Sequence, residues 1–307
     1  MLINIVVQPY CSTLMFNPIV QPYCSILFGY CLDYLFIIDF KFIFMIGIST
    51  LAYSNKSLTF ALSEIEKSAK HAEIFSEGIH NVIHPDVIHP GTIRPDSENS
   101  SEILSSFSLS YSIHAPTLDI NLAAVREKIR KAGVEIINES AVFCMNNNIE
   151  ILVVHPGYAA DVQTLPAAYK SFEKSTAELE KIKEETGVRI CIENMPNAEI
   201  YLFKTPEDEK KINLKSKNLE FILDIGHANT AGNLNEFLEK EIAHYHIHDN
   251  AGDVDNHLGF GNGTIGFNIL EQIVKKAKKD KAVLIAENKT VEEALKTVEM
   301  LKKAGAE

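Results

Sequence analysis

The sequence predicts an α/β protein, a single-domain (β/α)8 TIM barrel over residues 45–307, on three observations. Short apolar runs alternate with longer amphipathic stretches, the pattern of repeated βα units. The apolar runs number eight, and about 260 residues is the usual size of such a barrel. Six of the runs end on or beside His, Asp or Glu, which parallel strands would deliver to one rim.

Strand one is expected at Ile46–Leu51, where MIGIST opens an apolar run at Met45. A helix follows over Ser57–His71, then strand two at Ala72–Phe75. The next segment is irregular. His84-Pro85 and His89-Pro90 fall in a doubled VIHP phrase and Pro95 follows, so a loop is expected there. Strand three is placed at Leu109–His114, a helix at Ile120–Asn147, strand four at Ile149–His155 and a helix at Leu165–Thr186. Strands five and six are Arg189–Glu193 and Glu220–Asp224, followed by a helix at Leu234–Lys240 and strand seven at His244–His248. A helix at Ile269–Lys279, strand eight at Ala282–Glu287 and a last helix at Val291–Lys303 complete the set. No linker or composition shift divides this stretch.

Residues 1–44 differ from the rest. Their only charges are Asp33, Asp39 and Lys41, and they hold six of the 16 Phe residues. They also carry a near-repeat, VVQPYCS at Val6–Ser12 and IVQPYCS at Ile19–Ser25. A secretory leader would show a basic start and a small-residue cleavage site, and neither is present. A transmembrane helix is the alternative, but Asp33 and Asp39 interrupt the apolar Ile26–Ile38. The clean run falls short of the roughly 20 residues a span needs. The expectation is an atypical apolar extension, with translation of the barrel beginning at Met45 and no membrane contact for the barrel itself.

Hydrophobic residues make up 46% and charged residues 23%, as in an ordinary soluble globular protein. Of the five cysteines, Cys11, Cys24 and Cys31 lie in the extension. Cys144 and Cys191 show no CxxC spacing and no framework pattern, so they are read as reduced and buried in a cytoplasmic protein. The net charge of −12 repels phosphate backbones unless basic residues concentrate locally. No such concentration lies near the motifs, which favours small, neutral or metal-bridged substrates over long nucleic acids.

The chemistry is sought where the strands end. Strand three ends at His114 (SIHAP) and strand four at His155 (VVHPG). Strand five ends at Glu193 (CIENMP), and strand six at Asp224 with His227 one turn on (LDIGHA). Strand seven carries His246 and His248 (HYHIHD), and strand eight ends at Glu287 (LIAEN). Any one of these alone has a structural explanation as a loop cap, an ion-pair partner or a hydrogen-bonded core histidine. Converging together they would be costly to bury without a partner. A divalent cation resolves that cost, and mixed His and carboxylate ligands suit zinc, manganese or iron.

From Met45 to the C-terminus the chain resembles the xylose isomerase-like barrel superfamily, which includes sugar isomerases, sugar epimerases and endonuclease IV. In the isomerase and epimerase branch one metal is held by Glu, Asp, His and Glu from strands five to eight. Glu193, Asp224, His246 and Glu287 match those positions, and His227 matches a further histidine of the epimerases. The three-zinc site of endonuclease IV adds a His on strand three, a His on strand four and an Asp-x-His after strand seven. His114, His155, Asp255 and His257 match these, and LGFGNGTIG at 258–266 resembles that family's LGxGxxG loop. The resemblance thus implies a divalent-metal cofactor, zinc first, with manganese, cobalt or magnesium as alternatives.

It also implies two mechanisms. In the first, a sugar or sugar phosphate is isomerised or epimerised through an enediolate. Glu193 and Glu287 then act as both ligands and acid/base groups, and His227 contacts a substrate oxygen. One departure bears on this: sugar 3-epimerases carry an Arg a few residues after the strand-seven His, where this chain has Gly252 and Asp253. In the alternative, a zinc phosphodiesterase acts on abasic DNA with Glu193 as a bridging ligand. Such an enzyme grips a bent duplex with basic, intercalating loops. Residues Pro156–Pro166 contain no basic residue, and the loop after strand two has Arg94 as its only Arg. The loops choose the substrate on a shared scaffold, so the sequence favours the small-molecule isomerase or epimerase. A non-catalytic metal-binding barrel is the third class.

Overall fold

The computed structural model describes residues 45–83, 100–212 and 214–306. The expectations for residues 1–44 and for the doubled VIHP loop lie outside these residues. Eight parallel strands close into a barrel in sequence order. They are β1 (Ile46–Ser49), β2 (His71–Phe75), β3 (Ser110–His114), β4 (Ile151–Val154), β5 (Arg189–Glu193), β6 (Glu220–Asp224), β7 (His244–Ile247) and β8 (Val283–Ala286). β1 closes the circle against β8, with Ile48 opposite Ala286.

The longer helices follow the expected phrases: α1 (Leu58–Ser68), α3 (Glu127–Asn146), α4 (Leu165–Thr186), α8 (Phe267–Asp280) and α9 (Val291–Lys303). Their ends have local causes. The Ser57 hydroxyl accepts from the Phe60 N–H at the start of α1, and Thr290 does the same for Glu293 at α9. α4 carries Pro166 in its first turn and stops at Gly187, whose φ of 73° is open to glycine at little cost. Shorter helices intervene: α2 (Ser100–Ser105), α5 (Asp208–Ile212), α6 (Ile225–Thr230) and α7 (Leu234–Leu238).

Several boundaries depart from the sequence expectation, among them three in the first half of the barrel. Strand one stops at Ser49, whose hydroxyl accepts from the Leu51 N–H and opens a tight turn over Thr50–Tyr53. His71 begins β2 instead of ending a helix. The helix expected over Ile120–Asn147 starts only at Glu127. Asn121 is the reason: its side-chain oxygen accepts from Ala123 N–H and Tyr158 N–H, and its amide donates to the Tyr158 carbonyl. Those bonds hold the segment as a loop against the chain that leaves β4.

Strands buried on both faces are nearly continuous in apolar residues, as in ILVV of β4. The outward rows pack beneath the helices, with Phe172, Leu179 and Tyr245 fully buried there. The inward rows divide the barrel interior in two. Ile151, Val153, Cys191 and Ile222 form an apolar half. His71, Glu73, Ser112 and His244 form a polar half, all buried. Cys144 and Cys191 are free and buried, as expected.

Candidate metal centre

Side chains on a strand alternate between faces. Cys191 and Ile222 point inward, so Glu193 and Asp224, two residues on, point inward at the rim. His114, two residues past inward Ser112, and His155, two past Val153, follow the same count. His246 lies two past His244, and His248 and Glu287 stand just beyond the observed ends of β7 and β8. A period of two on parallel strands is therefore what gathers these groups.

All nine residues singled out from the sequence come together, in three donor sets. In the first, Glu193, Asp224, His246 and Glu287 bring one donor atom each within 4.8 Å of one another. His246 Nδ1 stands 3.2 Å from Glu193 Oε1, 3.1 Å from Glu287 Oε2 and 3.8 Å from Asp224 Oδ2. In the second, His114 Nε2 and His155 Nε2 stand 3.3 and 3.1 Å from Glu193 Oε2. In the third, His257 Nε2 and His227 Nε2 stand 2.9 and 3.3 Å from Asp255 Oδ2. His248 joins this last group. Glu193 thus faces two sets, one oxygen to each.

The imidazoles are held by their far nitrogens. His114 Nδ1 donates to its neighbour's carbonyl at Ala115, His227 Nδ1 to the Asn194 carbonyl and His257 Nδ1 to the Glu287 carbonyl, at 2.9, 2.8 and 2.8 Å. A carbonyl can only accept, so each Nδ1 keeps a proton and Nε2 is the nitrogen left to give up its own proton and turn a lone pair to a cation. Backbone oxygens therefore set the tautomers before any cation arrives.

Several residues that the sequence argument missed build the rim. Asn194 exchanges two hydrogen bonds with the backbone of Asp224, at 2.8 and 3.0 Å. Asn250 donates to the Gly226 carbonyl, and Asn288 to the carbonyls of His257 and Leu258. Asp249 is fully buried and accepts from four backbone N–H groups, those of Asn250, Gly261, Gly263 and Ile265. With the Asp249–Leu258 bridge, it closes the loop that carries Asp255 and His257. Gly263 fits this loop because a Cβ there would collide with the Asn250 carbonyl. A signal existed: Asn194, Asn288 and the Asp249-Asn250 pair directly follow Glu193, Glu287 and His248 in sequence. His248 itself donates through Nε2 to Asp224 Oδ2 at 3.0 Å, and its ring fills the space that a Cβ on Gly226 would need.

Charge is balanced within the centre. Burial alone would raise the Glu193 carboxyl, but His246, His155 and His114 hold it well below the usual range. Burial would lower His227, yet Asp224, Asp255 and Glu193 raise it to about 10. His114 is raised to about 8 by Glu193, Glu287 and Glu73 against the same opposing burial. Burial also works against His246, which Glu287, Glu73 and Glu193 raise well above its ordinary value. The cation-free centre therefore holds protons where a cation would need lone pairs. Asp255 Oδ1 is buried without a hydrogen-bond partner, an acceptor left over that a cation would use. The donor set fits divalent cations.

One prediction follows from the signs. The cation-free form binds more protons than the loaded form, so cation uptake releases protons and apparent affinity rises with pH. Calorimetric zinc titrations in buffers of different ionisation enthalpy should report that release. An affinity constant between about pH 6 and 8, across the ordinary histidine range, would contradict it.

A separate cleft at the opposite, N-terminal end of the strands is lined by Arg189, Glu209, Glu220 and Lys240. These side chains pair with one another, Arg189 with Glu220 and Lys240 with Glu209. The cleft contains none of the nine residues.

A family model described as xylose isomerase-like TIM barrel matches residues 73–304. An uncharacterized protein of Methanocaldococcus jannaschii is 33% identical over 261 residues, covering 84% of this chain and 98% of that protein. The crystal structure of a D-tagatose 3-epimerase-like protein superposes with a TM-score of 0.72 at 33% identity, over 85% of this chain and 96% of that one. A probable endonuclease 4 of Mycobacterium leprae is 25% identical over 196 residues, 60% of this chain and 75% of that protein. Among the described residues no helix is long and apolar enough to cross a membrane. With the barrel, its rim and these likenesses in agreement, the chain belongs to the xylose isomerase-like TIM barrel family.

Proposed function

We propose that this chain is a multi-cation phosphoester hydrolase of the endonuclease IV kind. The carrying observation is Glu193, which turns one oxygen to His246 and the other to His114 and His155. A carboxylate engaged on both oxygens suits a ligand shared by two cations. Within the third set, Asp255 and His257 have no part in the single-cation chemistry. Two of the three sets offer two or more imidazoles around one carboxylate, a donor choice that favours zinc over magnesium. Cations held there would supply Lewis-acid polarisation of a phosphoryl group and an acidified water. The chain's part is to fix the donors: backbone carbonyls orient His114, His227 and His257, and the Asp249 loop carries Asp255 and His257 to the rim. The buried, unpaired Cys144 and Cys191 support a cytoplasmic setting.

The second reading is a sugar or sugar-phosphate isomerase or epimerase using the first set alone. The net charge of −12 and the scarcity of basic residues in the loops favour it, as does the likeness to a D-tagatose 3-epimerase-like protein. In it Glu193 and Glu287 would exchange a proton with substrate carbon and His227 would contact a substrate oxygen. That chemistry asks for a base with a free oxygen within reach of the proton, and Glu193 has both oxygens engaged.

The two readings separate in one assay series on the zinc-loaded protein. Cleavage of an abasic-site duplex, or of a simple activated phosphodiester, is the expected result. No cleavage of either, together with solvent hydrogen exchange into a ketose or ketose phosphate, would replace the first reading with the second. A loaded protein inert in every assay would leave the non-catalytic metal barrel.

A further inference from the structure

Glu73 of β2 is a completely buried carboxylate with neither Lys nor Arg beside it. Burying such a group demands compensation. Three neighbours supply it: His246 Nε2 stands 2.7 Å from Oε1, His244 Nε2 stands 2.8 Å from Oε2, and the Ser112 hydroxyl donates to Oε2 at 2.7 Å. The contacts continue downward. Ser112 Oγ meets His71 Nε2 at 3.0 Å, and His71 Nδ1 meets Ser110 Oγ at 2.9 Å. A polar column thus runs along one half of the interior, beneath the donor sets.

Glu73, His244 and His246 could themselves be taken for a cation site. The separations argue otherwise. At 2.7 and 2.8 Å the imidazole nitrogens already sit at hydrogen-bond distance from the carboxylate, and Ser112 fills a further acceptor position. The Oε2 side of Glu73 is complete as hydrogen bonds, while Oε1 and His246 Nε2 meet as a close ion-pair contact.

The consequence falls on His246. Its Nε2 faces Glu73 while its Nδ1 faces Glu193, Glu287 and Asp224, so both ring nitrogens of the cation-free imidazole meet carboxylates. The nitrogen turned to the donor set is Nδ1, whose proton a cation would displace while Nε2 stays against Glu73. We infer that Glu73 is a positioning residue for the metal centre, holding His246 so that it ligates through Nδ1. The arrangement is opposite to that of His114, His227 and His257, which turn Nε2 to the centre and are held by backbone carbonyls. A carboxylate behind a ligating imidazole fixes its tautomer and raises its basicity. Glu73 thereby strengthens the first set specifically. This rests on the metal-binding reading above, and the test separates the two.

The unmodified protein, labelled with 15N in its histidine rings and loaded with 113Cd, should show one histidine coupled to cadmium through Nδ1. The other ligating histidines should couple through Nε2. Coupling through Nε2 alone would overturn the inference, whatever any variant does. Glu73→Gln should shift the Nδ1-coupled resonance and weaken cation affinity at that set by about 10–100-fold, the usual cost of losing such a partner, measured by chelator competition. The third set should keep its affinity. A folded Glu73→Gln protein with unchanged affinity would sink the inference alone. A wild-type protein that takes up no cation would sink the metal-binding reading with it.

Discussion

Glu193→Gln should empty two of the three donor sets at once. The amide keeps one acceptor oxygen and turns an NH2 group toward either His246 or the His114–His155 pair. Whichever set meets the NH2 group loses its carboxylate oxygen, and the other is left with a neutral, weaker ligand. Metal analysis after dialysis should show the variant retaining cation only at His227, Asp255 and His257. Phosphoester hydrolysis should fall by far more than the about 10–100-fold that an outer partner costs. Retention of the wild-type metal content by Glu193→Gln would mean that Glu193 is not shared. The fold should persist, because the barrel closes through backbone pairing and apolar packing remote from this residue.

Asp249→Asn is expected to have the largest effect on stability among the rim residues. Asp249 offers both oxygens to N–H donors, Oδ1 to Asn250 and Ile265 and Oδ2 to Gly261 and Gly263. An amide keeps one pair and confronts the other with its own N–H groups. Two hydrogen bonds to a charged acceptor, at about 1.5 kcal/mol each, put the loss at about 3 kcal/mol. For a domain of this size that lowers the melting temperature by roughly 6–12 °C. The loss should concentrate in the loop, so the cation at His227, Asp255 and His257 should leave first while the strand-borne sets remain. A melting temperature unchanged in the cation-free protein would refute this role.

Much of this architecture was legible in the sequence because strands buried on both faces leave long apolar phrases, and because ligand-type residues close so many of them. The strand ends alone located Glu193, Asp224, His246 and Glu287. The geometry around them was less legible. Asn121 keeps its segment out of the helix by bonds to Tyr158, 37 residues away, and no local pattern announces that pairing. Glu73 stands in an apolar strand phrase where a single Glu reads as solvent-facing, while its partner His244 lies 171 residues on. Asp249 reads as one more polar residue in a Gly- and Asn-rich loop until the four N–H groups around it are seen. Periodicity reports which face a side chain occupies, but not which distant group meets it there.

On the proposed multi-cation reading, the two-sided carboxylate of Glu193 would also tie the two adjacent donor sets together thermodynamically. Occupancy of one set fixes the orientation and charge of a ligand the other must use, so the two binding equilibria are linked. Whatever free energy the first cation contributes to or withdraws from the second is returned in equal measure in the reverse order of filling. On that reading the pair would load as a coupled system, and a saturation curve fitted to independent sites would misstate the intrinsic affinity of both.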